Sequence, residues 1–178
     1  MGLRWDIEAQ HARPPGRRAD LDAFCALFDA RSQIVEIVHP GRIRNANASV
    51  VHTGDSTTGA KEWDDERIFV YLDALPQNVC AVVFVVISAS GRVFGDVPGA
   101  SCHVSDGWTE REYVRTDLRS YGFSVSRCIA TLRRDPDGWK ILDHAESGKI
   151  AIAAESLSLS ANEKSRWSPR SACRSRAE

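Results

Sequence analysis

The residues best suited to chemistry lie in one polar stretch, 52–66, between an apolar segment ending at Val51 and a strand-like run beginning at Ile68. Asp55, Glu62, Asp64, Asp65 and Glu66 are interleaved there with hydroxyls and with Gly54 and Gly59. Carboxylates crowded on a glycine-bearing loop suit a hard cation. Calcium takes about 6–8 oxygens from carboxylates, backbone carbonyls and water, and needs a chain that bends to deliver them. A solvated hairpin loop has the same composition, so the loop alone does not separate the two. Upstream, Asp20 and Asp22 add a second observation. In an extended strand they project from one face, roughly 6.6–6.8 Å apart along the chain. Two carboxylates that close repel unless a cation or a donor lies between them.

Short strands must position these groups. Residues 20–28 alternate, with Leu21, Ala23, Cys25 and Leu27 on one face and Asp20, Asp22, Phe24, Ala26 and Phe28 on the other. A helix is the alternative there, because Leu and Ala are good helix formers. Strands are expected over 33–38 and 67–72. The valine-rich run 79–87 reads as a central strand covered on both faces. Further strands are expected at 101–105 and, on an edge, at 110–118. Two more, at 123–133 and 139–144, flank a hairpin turn of Pro136, Asp137 and Gly138. Residues 149–154 suit a last strand or a short helix. Short strands at regular spacing, with turns between them, predict an all-β fold, a two-sheet β-sandwich.

Composition excludes several other classes. The chain has 178 residues, 43% of them hydrophobic, and a net charge of −1. That bounds a single cored domain and argues against a nucleic-acid-binding surface. The longest apolar run is far short of the roughly 20 residues a membrane span needs. The first residues lack the apolar stretch of a secretory signal. Cys25, Cys80, Cys102, Cys128 and Cys173 form no close pair, which implies reduced thiols and a cytoplasmic location and offers no zinc site. His11, His39, His52, His103 and His144 show no paired ligand spacing. Residues 1–155 are therefore expected to form the domain. Residues 156–178, rich in Ser and Arg, are expected to be a disordered basic tail.

Three ordered motifs also resemble the TerD family of tellurite-resistance and stress-response proteins. They are Asp20-Leu21-Asp22-Ala23, the run from Ser49 through His52-Thr53-Gly54-Asp55 to Thr58-Gly59, and Asp64-Asp65-Glu66. Val83-Phe84-Val85-Val86, Phe94-Gly95-Asp96-Val97 and Gly138-Trp139-Lys140 follow in the family's order, so the likeness spans residues 3–146. The resemblance implies a two-sheet sandwich with Ca²⁺ held by acidic loops at one end, and no established enzymatic reaction. It implies partners among other stress-resistance proteins, in a membrane-associated complex. Carried over by position, it assigns Asp20, Asp22, Asp55, Asp64, Asp65 and Glu66 as metal ligands, with backbone carbonyls of residues 59–62 completing the cage.

The sequence departs from the family at Phe24, where a serine is usual, and at Ser56, where an asparagine is usual. It also departs at Lys61 and Trp63, which stand in a normally glycine-rich loop centre. Non-glycine residues rarely take positive φ, so one calcium site is expected and a second at the family's affinity is not. The chain also starts where the family pattern has already spent one or two strands, which predicts an uncovered sheet edge or core face. Two other functions stand beside the calcium module. One is a metal-free interaction scaffold; the other is an acid/base hydrolase on His52, Asp64 and Asp65.

Overall fold

The computed structural model describes residues 1–7 and 18–144. Among the described residues, ten strands form two five-stranded antiparallel sheets. The first sheet contains β1 (Gly2–Arg4), β4 (Val50–His52), β5 (Glu66–Val70), β7 (Ser101–Ser105) and β8 (Glu112–Asp117), in the order β4-β5-β1-β7-β8. The second contains β2 (Leu21–Phe28), β3 (Ile34–Val38), β6 (Ala81–Ser88), β9 (Ser126–Asp135) and β10 (Gly138–Asp143), in the order β10-β9-β6-β2-β3. The expected two-sheet all-β architecture is the observed one.

Side-chain alternation accounts for both sheets. Leu21, Ala23, Cys25 and Leu27 of β2 enter the main core between the sheets, together with Val82, Phe84 and Val86 of β6. Phe24, Ala26 and Phe28, with Val83, Val85 and Ile87, form a second cluster on the other face. Residues 20–28 are thus a strand and not a helix, and β6 is the middle strand of a sheet buried on both faces. Burying each large apolar side chain contributes roughly 1.5–3 kcal/mol, so a continuous apolar run is stable only where both faces are covered. β7 and β8 instead bury alternate residues, as expected when one face meets water. The edge position expected for 110–118 is that of β8. The expected hairpin joins β9 to β10, with Gly138 at φ +123° closing its turn.

Three details differ from expectation. Strand β5 begins at Glu66 and ends at Val70, and Leu72–Ala74 forms a 3₁₀ turn. The last residue of the acidic triplet is therefore a strand residue with an inward side chain. The central strand begins at Ala81, because Val79 is held in a turn by its N–H bond to the Pro76 carbonyl. Gly2–Arg4 lies in the centre of the first sheet, paired with β5 on one side and β7 on the other. The residues expected as a disordered tail, and the element expected at 149–154, lie outside the described residues.

Candidate metal site

The start of β2 and the loop that follows β4 meet at one end of the sandwich. Asp20, Asp22 and Asp55 converge there, each offering one carboxylate oxygen within 4.8 Å of the others. Asp20 and Asp22 are half-buried and Asp55 is exposed. The backbone of Asp20 is fixed by the neighbouring turn: its N–H donates to Ser90 Oγ (3.3 Å) and its carbonyl accepts from Ser90 N (3.4 Å). Its Oδ1 is buried and, among the described residues, has no hydrogen-bond partner. Burial pushes the Asp22 carboxyl up to about 7, and the nearby carboxylates of Glu66, Asp20 and Asp55 add to the rise. Burial also raises the Asp20 carboxyl, followed by Asp55 and Glu66. Three acids are held together here at an electrostatic cost that a cation would relieve.

The triplet 64–66 does not enter this cluster as a unit. Asp65 and Glu66 are wholly buried and accept hydrogen bonds from the chain itself. Asp65 Oδ2 accepts from Trp5 N (3.0 Å), and Oδ1 accepts from Lys61 N (3.1 Å) and Ser56 Oγ (3.5 Å). Its carbonyl also accepts from Lys61 Nζ. Glu66 Oε2 accepts from Ala23 N (2.8 Å), and Oε1 accepts from Ser56 N (3.1 Å). Asp64 faces elsewhere. It receives Arg67 Nε at 2.8 Å and lies 3.2 Å from His103 Nε2, over Gly2, where any side chain would collide with both groups. Burial would raise the Asp64 carboxyl, but its bonds to His103 and Arg67 outweigh that and lower it. The six acids expected in one cage therefore separate into three that converge, two buried acceptors and one half-buried ion-paired group. Loops leave backbone N–H groups without strand partners, and a nearby carboxylate satisfies them as readily as it would a cation.

The loop centre follows the same logic. Only Gly54 and Gly59 in this loop have positive φ, whereas Lys61 and Trp63 do not. Gly59 is needed twice over. Its φ is +62°, and an added Cβ would lie 2.4 Å from Trp5 Cδ1 and 2.9 Å from the Trp5 carbonyl oxygen. His52, considered above as a base, is wholly buried. Its Nδ1 accepts from Gly54 N at 3.0 Å, and its Nε2 lies 3.3 Å from Glu66 Oε2, off a hydrogen-bonding line. The sequence marks Ser56 only as a replaced asparagine, and Trp5 and Ser90 not at all. No local pattern marks Trp5 or Ser90, because each matters through a contact distant in the chain.

The TerD domain profile matches residues 1–152. The chain is 37% identical over 156 residues to "Tellurium resistance protein TerZ" of Serratia marcescens, covering 84% of this chain and 80% of that protein. It is 33% identical over 149 residues to "General stress protein 16U" of Bacillus subtilis (strain 168), covering 79% and 75% respectively. A crystal structure of a homologue of telluride resistance protein (TerD) from Streptomyces coelicolor A3(2) superposes with a TM-score of 0.69. That match covers 83% of this chain and 95% of the other at 20% identity, a likeness of fold.

Proposed function

The chain belongs to the TerD family of tellurium-resistance and stress-response proteins, and from that premise we propose that it is a calcium-binding, cytoplasmic stress-response module acting through protein interactions. The observation that carries this reading is the convergence of Asp20, Asp22 and Asp55 around a buried, unpartnered Asp20 Oδ1. The donor set is all oxygen, as a hard cation prefers. The free cysteines among the described residues lie outside it. Asp20, Asp22 and Asp55 would hold the ion. A bound divalent cation supplies charge neutralisation, and the chain's own groups do the rest. Ser90 fixes the Asp20 backbone, and Glu66 and Asp65 hold the loop that carries Asp55. The neutralised end of the sandwich is the surface offered to partner proteins of the stress-resistance systems, including those at a membrane. Among the described residues, no helix is long and apolar enough to cross one.

The reading assigns the chain no reaction. His52 turns one ring nitrogen to Gly54 N–H and the other toward Glu66, inside the fold, so it offers no base to a substrate. A second reading, the metal-free scaffold, is favoured by one observation: Lys61 and Trp63 lack the positive φ of a glycine-rich ligand loop. Calorimetric titration of Ca²⁺ into chelator-treated protein, with Mg²⁺ as control, separates the two. Saturable Ca²⁺ binding that disappears in Asp22→Asn is expected. No heat from a folded sample would leave the scaffold.

A further inference from the structure

Glu66 lies next to the converging acids without joining them, and its hydrogen bonds have a pattern. Its side chain leaves β5 in the first sheet and crosses to β2 in the second. One oxygen takes the N–H of Ala23, the residue after Asp22. The other takes the N–H of Ser56, the residue after Asp55. Neither amide has a strand partner there. Strand β3 pairs with β2 only from Cys25 onward, so Ala23 extends past its end, and Ser56 lies in a loop. His52 packs beside Glu66, with Nδ1 accepting from Gly54 N and Nε2 3.3 Å from Glu66 Oε2, off a hydrogen-bonding line. The carboxylate is wholly buried and committed to protein donors on both oxygens.

We propose that Glu66 is a positioning residue for the metal site and not one of its ligands. Its two oxygens tie together the segments carrying Asp22 and Asp55, so that these acids stand within reach of one ion before any ion arrives. The proposal rests on the calcium reading above and deepens it. The two segments come from opposite sheets and lie more than thirty positions apart in the chain, so nothing in their local sequence holds them at ligand spacing. Asp65 reinforces the loop side of the brace through Trp5 N, Lys61 N and Ser56 Oγ. The site is therefore preformed, not ordered by the metal. Partners outside the ligand shell typically change metal affinity by about 10–100-fold when removed.

The test compares unaltered protein, Glu66→Gln and Asp22→Asn, using Tb³⁺ as a luminescent probe in competition with Ca²⁺. Glutamine keeps the shape but turns one acceptor into a donor facing an N–H. The expected result is an affinity about 10–100-fold weaker in Glu66→Gln, with the number of ion-bound waters, read from lifetimes in H₂O and D₂O, unchanged. A gain of bound water would make Glu66 a direct ligand and overturn the proposal, and so would an unchanged affinity. Hydrogen exchange on the unaltered, chelator-treated protein needs no variant to fold. Slow exchange at the Ala23 and Ser56 amides is expected, and fast exchange at Ser56 that slows only with Ca²⁺ would overturn a preformed brace. Failure of the calcium reading shows differently: neither ion binds the unaltered protein, or Asp22→Asn binds as well. The positioning role then falls too, and protected amides would leave Glu66 a brace of the fold alone.

Discussion

Asp22→Asn is expected to abolish Ca²⁺ binding while making the metal-free protein more stable. The carboxylate stands within 4.8 Å of oxygens on Asp20 and Asp55. At about 5 Å two carboxylates repel by about 3 kcal/mol at an effective dielectric of 20 and by under 1 kcal/mol in water. These groups are half-buried or exposed, so about 1 kcal/mol per pair is the appropriate scale after solvent screening. Asn keeps the shape and removes the charge from both pairs and from the neighbouring Glu66, a gain of at least about 2 kcal/mol. For a domain of this size that is roughly 4–8 °C in Tm. The pH dependence has a definite sign. Asp22 in the folded protein, shielded from water and crowded by acids, holds its proton up to about 7 against 3.8 ordinarily. Between those values the folded state binds more protons than the unfolded one, so stability of the metal-free protein falls as pH rises through the window. The advantage of Asp22→Asn is therefore greatest above pH 7 and vanishes toward pH 4. Thermal unfolding in EDTA at pH 5 and pH 8, and again with excess Ca²⁺, provides the assay. Unaltered protein gains about 2.7 kcal/mol when Ca²⁺ stands at 100 times Kd, and the variant gains nothing. A variant no more stable than the original in EDTA at pH 8, or one that keeps the Ca²⁺-dependent rise in Tm, would refute the reasoning.

Three further outcomes follow from the same geometry. Asp64→Asn leaves Ca²⁺ affinity within about twofold and costs roughly 1–3 kcal/mol of stability, because its charged hydrogen bonds to the exposed Arg67 and the half-buried His103 are weakened; calorimetry and thermal unfolding check both. Gly59→Ala destabilises by about 2–3 kcal/mol, since a side chain at φ +62° is strained and meets the Trp5 ring and carbonyl; urea unfolding with an unchanged slope is the measurement. Ca²⁺ binding weakens as pH falls below 7 and releases up to about one proton near pH 6, because Asp22 must ionise to serve as a ligand. Titrations in buffers of different ionisation enthalpy count that proton, and a release that does not decline toward pH 8 would contradict the assignment to Asp22.

The fold was legible because its signal is local. The faces of β2 and β6 are written in period-two alternation and in a continuous valine run, and each places its side chains where that pattern requires. The convergence of Asp20 and Asp22 follows from the same alternation. The triplet 64–66 does not gather into one cluster for a physical reason: a cation and a bare backbone N–H ask the same thing of a carboxylate. Which of them a given acid serves depends on what the rest of the chain leaves unpaired nearby. Asp65 is drawn to Trp5 N from the far N-terminal side, and Glu66 to Ala23 N, because β3 ends before reaching it. Those orphaned donors are products of strand lengths and pairing, which acid spacing does not encode. The acids at this end of the sandwich therefore differ in what already holds them. Among the described residues, Asp20 Oδ1 at the start of β2 accepts no hydrogen bond and stays available to a cation, whereas both oxygens of Glu66 are already taken by backbone N–H groups.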